Sequence, residues 1–197
     1  MTASAYWWNA AGLFLLILWL LQRWRPGWRW FLVSALGAAV AGIIPFFGHA
    51  PRYWLSGLTP NLSVPLLAVL AASILQRAGG GAVFRPREWR AAWIFGAAAS
   101  LVLYPSALGL GLRNLDTYSL GWPWLESFPS LALFGGVAVT AAFLVWRGNR
   151  FGWVLVAAAA AHLTRRQESN NFWDYLLDPL FGAASLVAVL VLLLRRP

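Results

Sequence analysis

The sequence predicts an all-α, polytopic membrane protein of seven transmembrane helices. It forms one domain over 1–197, with the N-terminus outside and the C-terminus cytoplasmic. Three observations predict this. Hydrophobic residues make up 60% of the chain and charged residues only 11%, against roughly 25% charged in globular chains. Apolar runs approach the roughly 20 residues that a crossing requires. The arginines alternate between sparse and crowded connections, as the positive-inside bias demands.

The runs, in order, are Ala5–Leu21, Trp30–Phe47, Leu62–Leu75, Ala91–Gly111, Phe128–Trp146, Phe151–Leu163 and Tyr175–Leu194. The first is preceded by no positive charge and followed by Arg23, Arg25 and Arg29. That order is the reverse of a cleaved signal peptide, so it reads as a retained helix. The second and fourth carry Pro45 and Tyr104-Pro105-Ser106 near their outer ends, where proline removes a backbone hydrogen bond and kinks a helix. The third and sixth are short. Small residues spaced by four, Ser34/Ala38/Gly42 in the second and Ala132/Gly136/Thr140 in the fifth, suit close helix contact. The seventh ends in a ten-residue apolar run from Ser185 to Leu194.

Charge orients the set. Eleven of the 15 arginines fall in connections on one side, from Arg23 to Arg196, and Arg52, Arg113, Arg165 and Arg166 on the other. The crowded side is assigned to the cytoplasm. Thirteen of the 14 tryptophans fall near the ends of the runs, where indole prefers the interface. These features place the chain in the plasma membrane, the inner membrane of a bacterial cell envelope. The net charge of +9 is then a topology signal and not a sign of a nucleic-acid partner.

Composition narrows the chemistry. With no cysteine, thiolate nucleophiles, thiolate metal sites and disulfides are excluded. With no lysine, there is no Schiff base. Gly79-Gly80-Gly81 lacks the Lys-Ser/Thr of a phosphate loop and reads as a turn. No His-Glu-x-x-His, Gly-x-Ser-x-Gly or nucleotide fingerprint is present. No metal or cofactor is expected.

Nearly all acid–base side chains fall on the sparsely basic side, and one segment gathers them. It runs from His162 through Arg165, Arg166, Glu168, Asn171 and Asp174 to Asp178-Pro179. Asp178-Pro179 reads as a helix N-cap followed by proline at the first position. The helices on either side then span only about 20–24 Å at 1.5 Å per residue, against a hydrocarbon layer of about 30 Å. The connection is therefore expected to be recessed, held by Phe172, Trp173, Tyr175, Leu176 and Leu177. Buried acids need partners, so Glu168, Asp174 or Asp178 is expected to pair with Arg113, Arg165 or Arg166.

The functional reading is an outward-facing site for an anionic amphipathic substrate: a membrane lipid headgroup or a lipid-linked glycan. Arg113, Arg165 and Arg166 would grip phosphate with guanidinium forks, helped by Asn171, Asp178 and Asp116. Glu168, Asp174 and His162 are the acid–base candidates for a transferase or hydrolase. The rival is a non-catalytic subunit of a larger envelope complex, bound to an integral-membrane partner through its small-residue faces. A small-molecule transporter ranks third, lacking a clear inverted repeat.

Overall fold

A computed structural model describes residues 3–59, 61–110, 116–122 and 128–195. Among them are nine α-helices and one 3₁₀ helix. The helices are α1 (Ala3–Gln22), α2 (Trp28–Ile43), α3 (Pro51–Leu58), α4 (Val64–Arg77), α5 (Pro86–Ala107), α6 (Phe128–Trp146), α7 (Phe151–Leu163), α8 (Phe172–Leu176) and α9 (Pro179–Leu194), with the 3₁₀ helix at Thr117–Gly121.

Among these residues no helix is long and apolar enough to cross a membrane. This overturns the expected seven transmembrane helices with their outside N-terminus and cytoplasmic C-terminus. The multi-pass inner-membrane localisation, and the cell-envelope and lipid-binding descriptions attached to it, fall with them. The physical reason is that local signals cut the apolar runs short. The helices α2, α4, α7 and α9 count 16, 14, 13 and 16 residues, which gives about 24 Å at most. Although α5 has 22 residues, its first turns carry Arg87, Glu88 and Arg90 and its last turn carries Pro105. In α1 and α6 the described side chains cover 7–22 and 131–146.

Each interruption has a local cause. After α2 the chain reverses at Phe47 (φ 47°) and Gly48 (φ 76°). The Phe46 and His49 backbones pair across that turn. Pro51, at the first helical position, then starts the unforeseen α3. Ser63 caps α4 by accepting the Leu66 N–H. At the opposite end of the bundle, buried Glu88 accepts the Arg85 N–H and, with its other oxygen, the Arg150 N–H at 3.3 Å. One carboxylate thus ties the start of α5 to the start of α7.

Helices α1, α2 and α4 pack together on one side, α5 lies along α9, and α7 bridges α4, α5 and α6. The main core joins Leu66 and Leu70 of α4, Phe151 and Leu155 of α7, Phe181 of α9 and Phe172, Trp173, Tyr175 and Leu176 of α8. The tight α5–α9 contacts are made at glycines the spacing argument did not choose. A Cβ on Gly96 of α5 would lie 2.2 Å from the Ser185 Oγ of α9, and one on Gly182 of α9 would lie 2.7 Å from the Ser100 Oγ of α5. Ser34 and Ala38 are buried as expected, but Gly42 and Gly136 have open space around them. Large apolar side chains stand exposed on outward faces, among them Leu32, Leu36 and Ile43 of α2 and Val187, Leu190 and Leu194 of α9.

Candidate functional site

The connection between α7 and α9 is an ordered plug. Past Leu163, Arg165 takes the left-handed conformation (φ 50°). Its N–H and that of Arg166 return to the His162 and Ala161 carbonyls, each at 3.0 Å, which closes α7 in the manner of a left-handed C-cap. The chain then turns inward at Gln167. Its N–H donates to the Tyr175 hydroxyl at 3.1 Å, and its Nε2 to the Leu62 carbonyl at 3.0 Å. Tyr175 Oη in turn donates to the Ser169 carbonyl. Ser169 Oγ accepts the Asn171 N–H.

The five-residue α8 begins at Asn171, whose Oδ1 accepts the Trp173 N–H while its Nδ2 donates to the Tyr118 carbonyl at 2.9 Å. Trp173 Nε1 donates to the Thr117 carbonyl at 2.8 Å. Phe172, Trp173, Tyr175, Leu176 and Leu177 are all buried. Burying such side chains contributes about 1.5–3 kcal/mol each, enough to seat the plug against α4 and the 3₁₀ helix. Of the expected recessed segment 165–178, residues 171–173 and 175–178 are buried against the bundle, while Arg165, Arg166, Glu168 and Asn170 are exposed.

Its two buried acids are held differently. Asp178 caps α9, with Oδ1 accepting the Leu180 and Phe181 N–H groups at 2.9 Å each, and its Oδ2 accepts the Ser63 N–H at 2.9 Å. Both oxygens are therefore occupied by backbone, and its role is structural. Asp174 is only partly buried. Its Oδ2 accepts the Tyr118 hydroxyl at 3.1 Å, and the Ser169 hydroxyl also donates to its carboxyl. Burial raises the pKa of both acids, while these hydrogen bonds work the other way. Burial and then the neighbouring Asp174 push the Tyr118 phenol up to about 12. Burial, with Asp178 and Asp174 nearby, also raises Tyr104.

Among the described residues, neither Arg165 nor Arg166 is recorded as a partner of these two acids. Their recorded donors are neutral hydroxyls and backbone amides. The reason is reach: Arg165 and Arg166 point outward from the end of α7 and stand exposed, while hydroxyls and amides closer by satisfy the carboxylates. Glu168 is exposed beside them. Asp116 caps the 3₁₀ helix through the Tyr118 and Ser119 N–H groups. Arg113 lies outside the described residues. Among the described residues no group of three or more histidines and acids is placed to hold a metal.

Sequence reasoning missed Ser63, Gln167 and Phe134. Ser63 precedes Val64-Pro65 and carried a usable cap signal. Gln167 carried none, because its partners are Leu62 and Tyr175.

Beside the plug runs an apolar groove of about 560 Å³ between α6 and α7, lined by residues including Val137, Ala141, Val145 and Trp153 and ending at Phe134 and Phe172. Those two rings stack at 4.3 Å with 4° between their planes. His162 sits directly behind them, its ring centroid 5.4 Å from Phe134 and 5.1 Å from Phe172. The exposed Arg165 and Arg166 follow His162 in sequence, and neither lines the groove. A second groove of about 410 Å³ between α5 and α6 reaches Trp173 and Leu176, and the linings of both grooves are uncharged.

Among known protein families, curated proteins and solved structures, none matches this chain.

Proposed function

We propose that the chain binds an anionic amphiphile, with its apolar tail along the α6–α7 groove and its phosphate-like head at Arg165 and Arg166. One observation carries this reading: the groove ends at Phe134 and Phe172, whose rings pack on His162, and the His162 carbonyl accepts the N–H of the exposed Arg165. Guanidinium forks match phosphate oxygens in pairs. Apolar walls with a few convergent polar groups are the usual makeup of a small-molecule site.

Asp174 is the acid–base group of this site. It is half-buried, its donors among the described residues are hydroxyls, and burial raises its pKa. A carboxyl so placed is suited to take or give a proton. The Tyr118 phenol orients it.

Dodecyl phosphate, dodecanol and dodecyltrimethylammonium share a tail and differ in head. The expected result in calorimetric titration is preferential binding of the phosphate, reduced more than tenfold in R165A/R166A. Equal affinity for all three, unchanged in that variant, would overturn the reading.

The exposed apolar faces of α2 and α9 favour a second reading, a non-catalytic subunit whose partner covers them. Monomers rarely leave large apolar patches uncovered. The two readings part at Leu36→Glu with Val187→Glu on those exposed faces. A subunit would change its assembly state in native mass spectrometry, whereas a monomeric amphiphile binder would keep its assembly state and its dodecyl phosphate affinity.

A further inference from the structure

His162 is 7% exposed, and its Nδ1 has no hydrogen-bond partner among the described residues. A buried imidazole nitrogen left without a partner forfeits its solvation, so a ligand atom that bonds it gains what water cannot supply there. Three rings box it: Phe134 and Phe172 on the groove side and Tyr175, edge-on at 5.1 Å. Tyr175 cannot serve the nitrogen, because its hydroxyl is engaged with Gln167 and Ser169. The same Phe134 and Phe172 rings that pack on His162 line the groove. Phe172 is fully buried in the plug, whereas Phe134, on α6, is partly buried and is the less enclosed of the two.

We propose that His162 selects the head group of the groove's ligand: when Phe134 swings aside, Nδ1 makes a hydrogen bond to a phosphoryl oxygen held at its outer side by Arg165. This inference rests on the amphiphile reading above and names the residue that distinguishes a phosphate head from a plain hydroxyl. The Arg165 N–H bonds to the His162 carbonyl at 3.0 Å, so the imidazole and the guanidinium leave adjoining points of one helix end. Together they supply an inner and an outer donor to one tetrahedral anion. The apolar box keeps water from competing for the inner one.

Two measurements test this. First, affinities for dodecyl phosphate and dodecanol are compared in the wild type, His162→Phe and His162→Asn. The asparagine amide nitrogen falls near the place of Nδ1, whereas phenylalanine fills the box without a donor. The expected result is a tenfold or greater loss of phosphate affinity in His162→Phe, partial recovery in His162→Asn, and dodecanol affinity within twofold throughout. Second, ¹⁵N imidazole resonances are followed in the wild-type protein, which has only two histidines. The Nδ1 signal of His162 is expected to move on saturation with dodecyl phosphate and not with dodecanol, with His49 as the internal reference. If the wild type binds dodecyl phosphate but its His162 Nδ1 does not shift, or His162→Phe binds it equally well, the role of His162 is overturned and the groove reading stands. If the wild type shows no preference for the phosphate, the groove reading itself fails.

Discussion

Asp178 and Ser63 are 115 positions apart in sequence, yet the Asp178 carboxylate accepts the Ser63 backbone N–H at 2.9 Å in a buried setting. The same carboxylate starts α9, while Ser63 starts α4. Two helix beginnings are thus clamped by one acid, and the plug is anchored between them.

Removal of that clamp is expected to be costly. Asp178→Ala loses an N-cap, worth about 0.5–2 kcal/mol, and leaves the Ser63 N–H buried without a partner, about 1–3 kcal/mol more. The expected loss of about 2–4 kcal/mol would appear as a lower denaturation midpoint. Asp178→Asn should recover only part of it, because its amide nitrogen cannot accept from a backbone N–H. A midpoint unchanged in Asp178→Ala would show that the cap and the cross-chain bond are not formed.

Gly121 lets the 3₁₀ helix reach the plug. A Cβ there would fall 1.8 Å from Asn171 Oδ1 and 2.8 Å from the Trp173 ring. Gly121→Ala must therefore push α8 away and strain the Asn171 cap. The expected destabilisation is about 1–3 kcal/mol, as for overpacked cores. Gly136→Ala, with nothing within 4 Å, serves as the neutral control.

Arg165 trades stability for function. A non-glycine residue in the left-handed region costs about 1 kcal/mol. Arg165→Gly is expected to raise the unfolding free energy by about that amount, while weakening alkyl phosphate binding. A variant that binds as well as the wild type would remove Arg165 from the site.

Stability should respond to pH in two opposed ways. Burial, then Arg165, lowers the His162 pKa, so between that folded value and the ordinary value of about 6.5 the native state holds fewer protons than the unfolded chain. This contribution is complete above pH 6.5 and is lost as pH falls through the folded value. Asp174 and Asp178 act oppositely. Burial raises them, so their contribution is complete below about pH 4 and is lost as pH rises through their folded values. Denaturation midpoints measured across this range should lose the acid-side decline in His162→Phe and the alkaline-side decline in Asp174→Asn. Parallel curves for wild type and both variants would refute the assignment.

Local chemistry written in adjacent residues was legible in the sequence. Asp178-Pro179 announced the start of α9, and the apolar residues around Trp173 announced a plug and not a loop, because capping and the burial of neighbouring side chains depend on spacing along the chain. The helical content followed from the same periodicities. The membrane crossings inferred from composition did not survive, since total apolarity does not fix where caps, prolines and charged turns end a helix. The tertiary structure alone decided which groups meet. It brought Ser63 to Asp178, placed Gly96 and Gly182 rather than Gly42 and Gly136 at the tight crossings, and gave Asp174 the Tyr118 hydroxyl as a donor. Partner choice in a folded chain depends on distances that no spacing rule contains: a nearby hydroxyl at 3.1 Å satisfies a carboxylate before a guanidinium that must reach in from the surface.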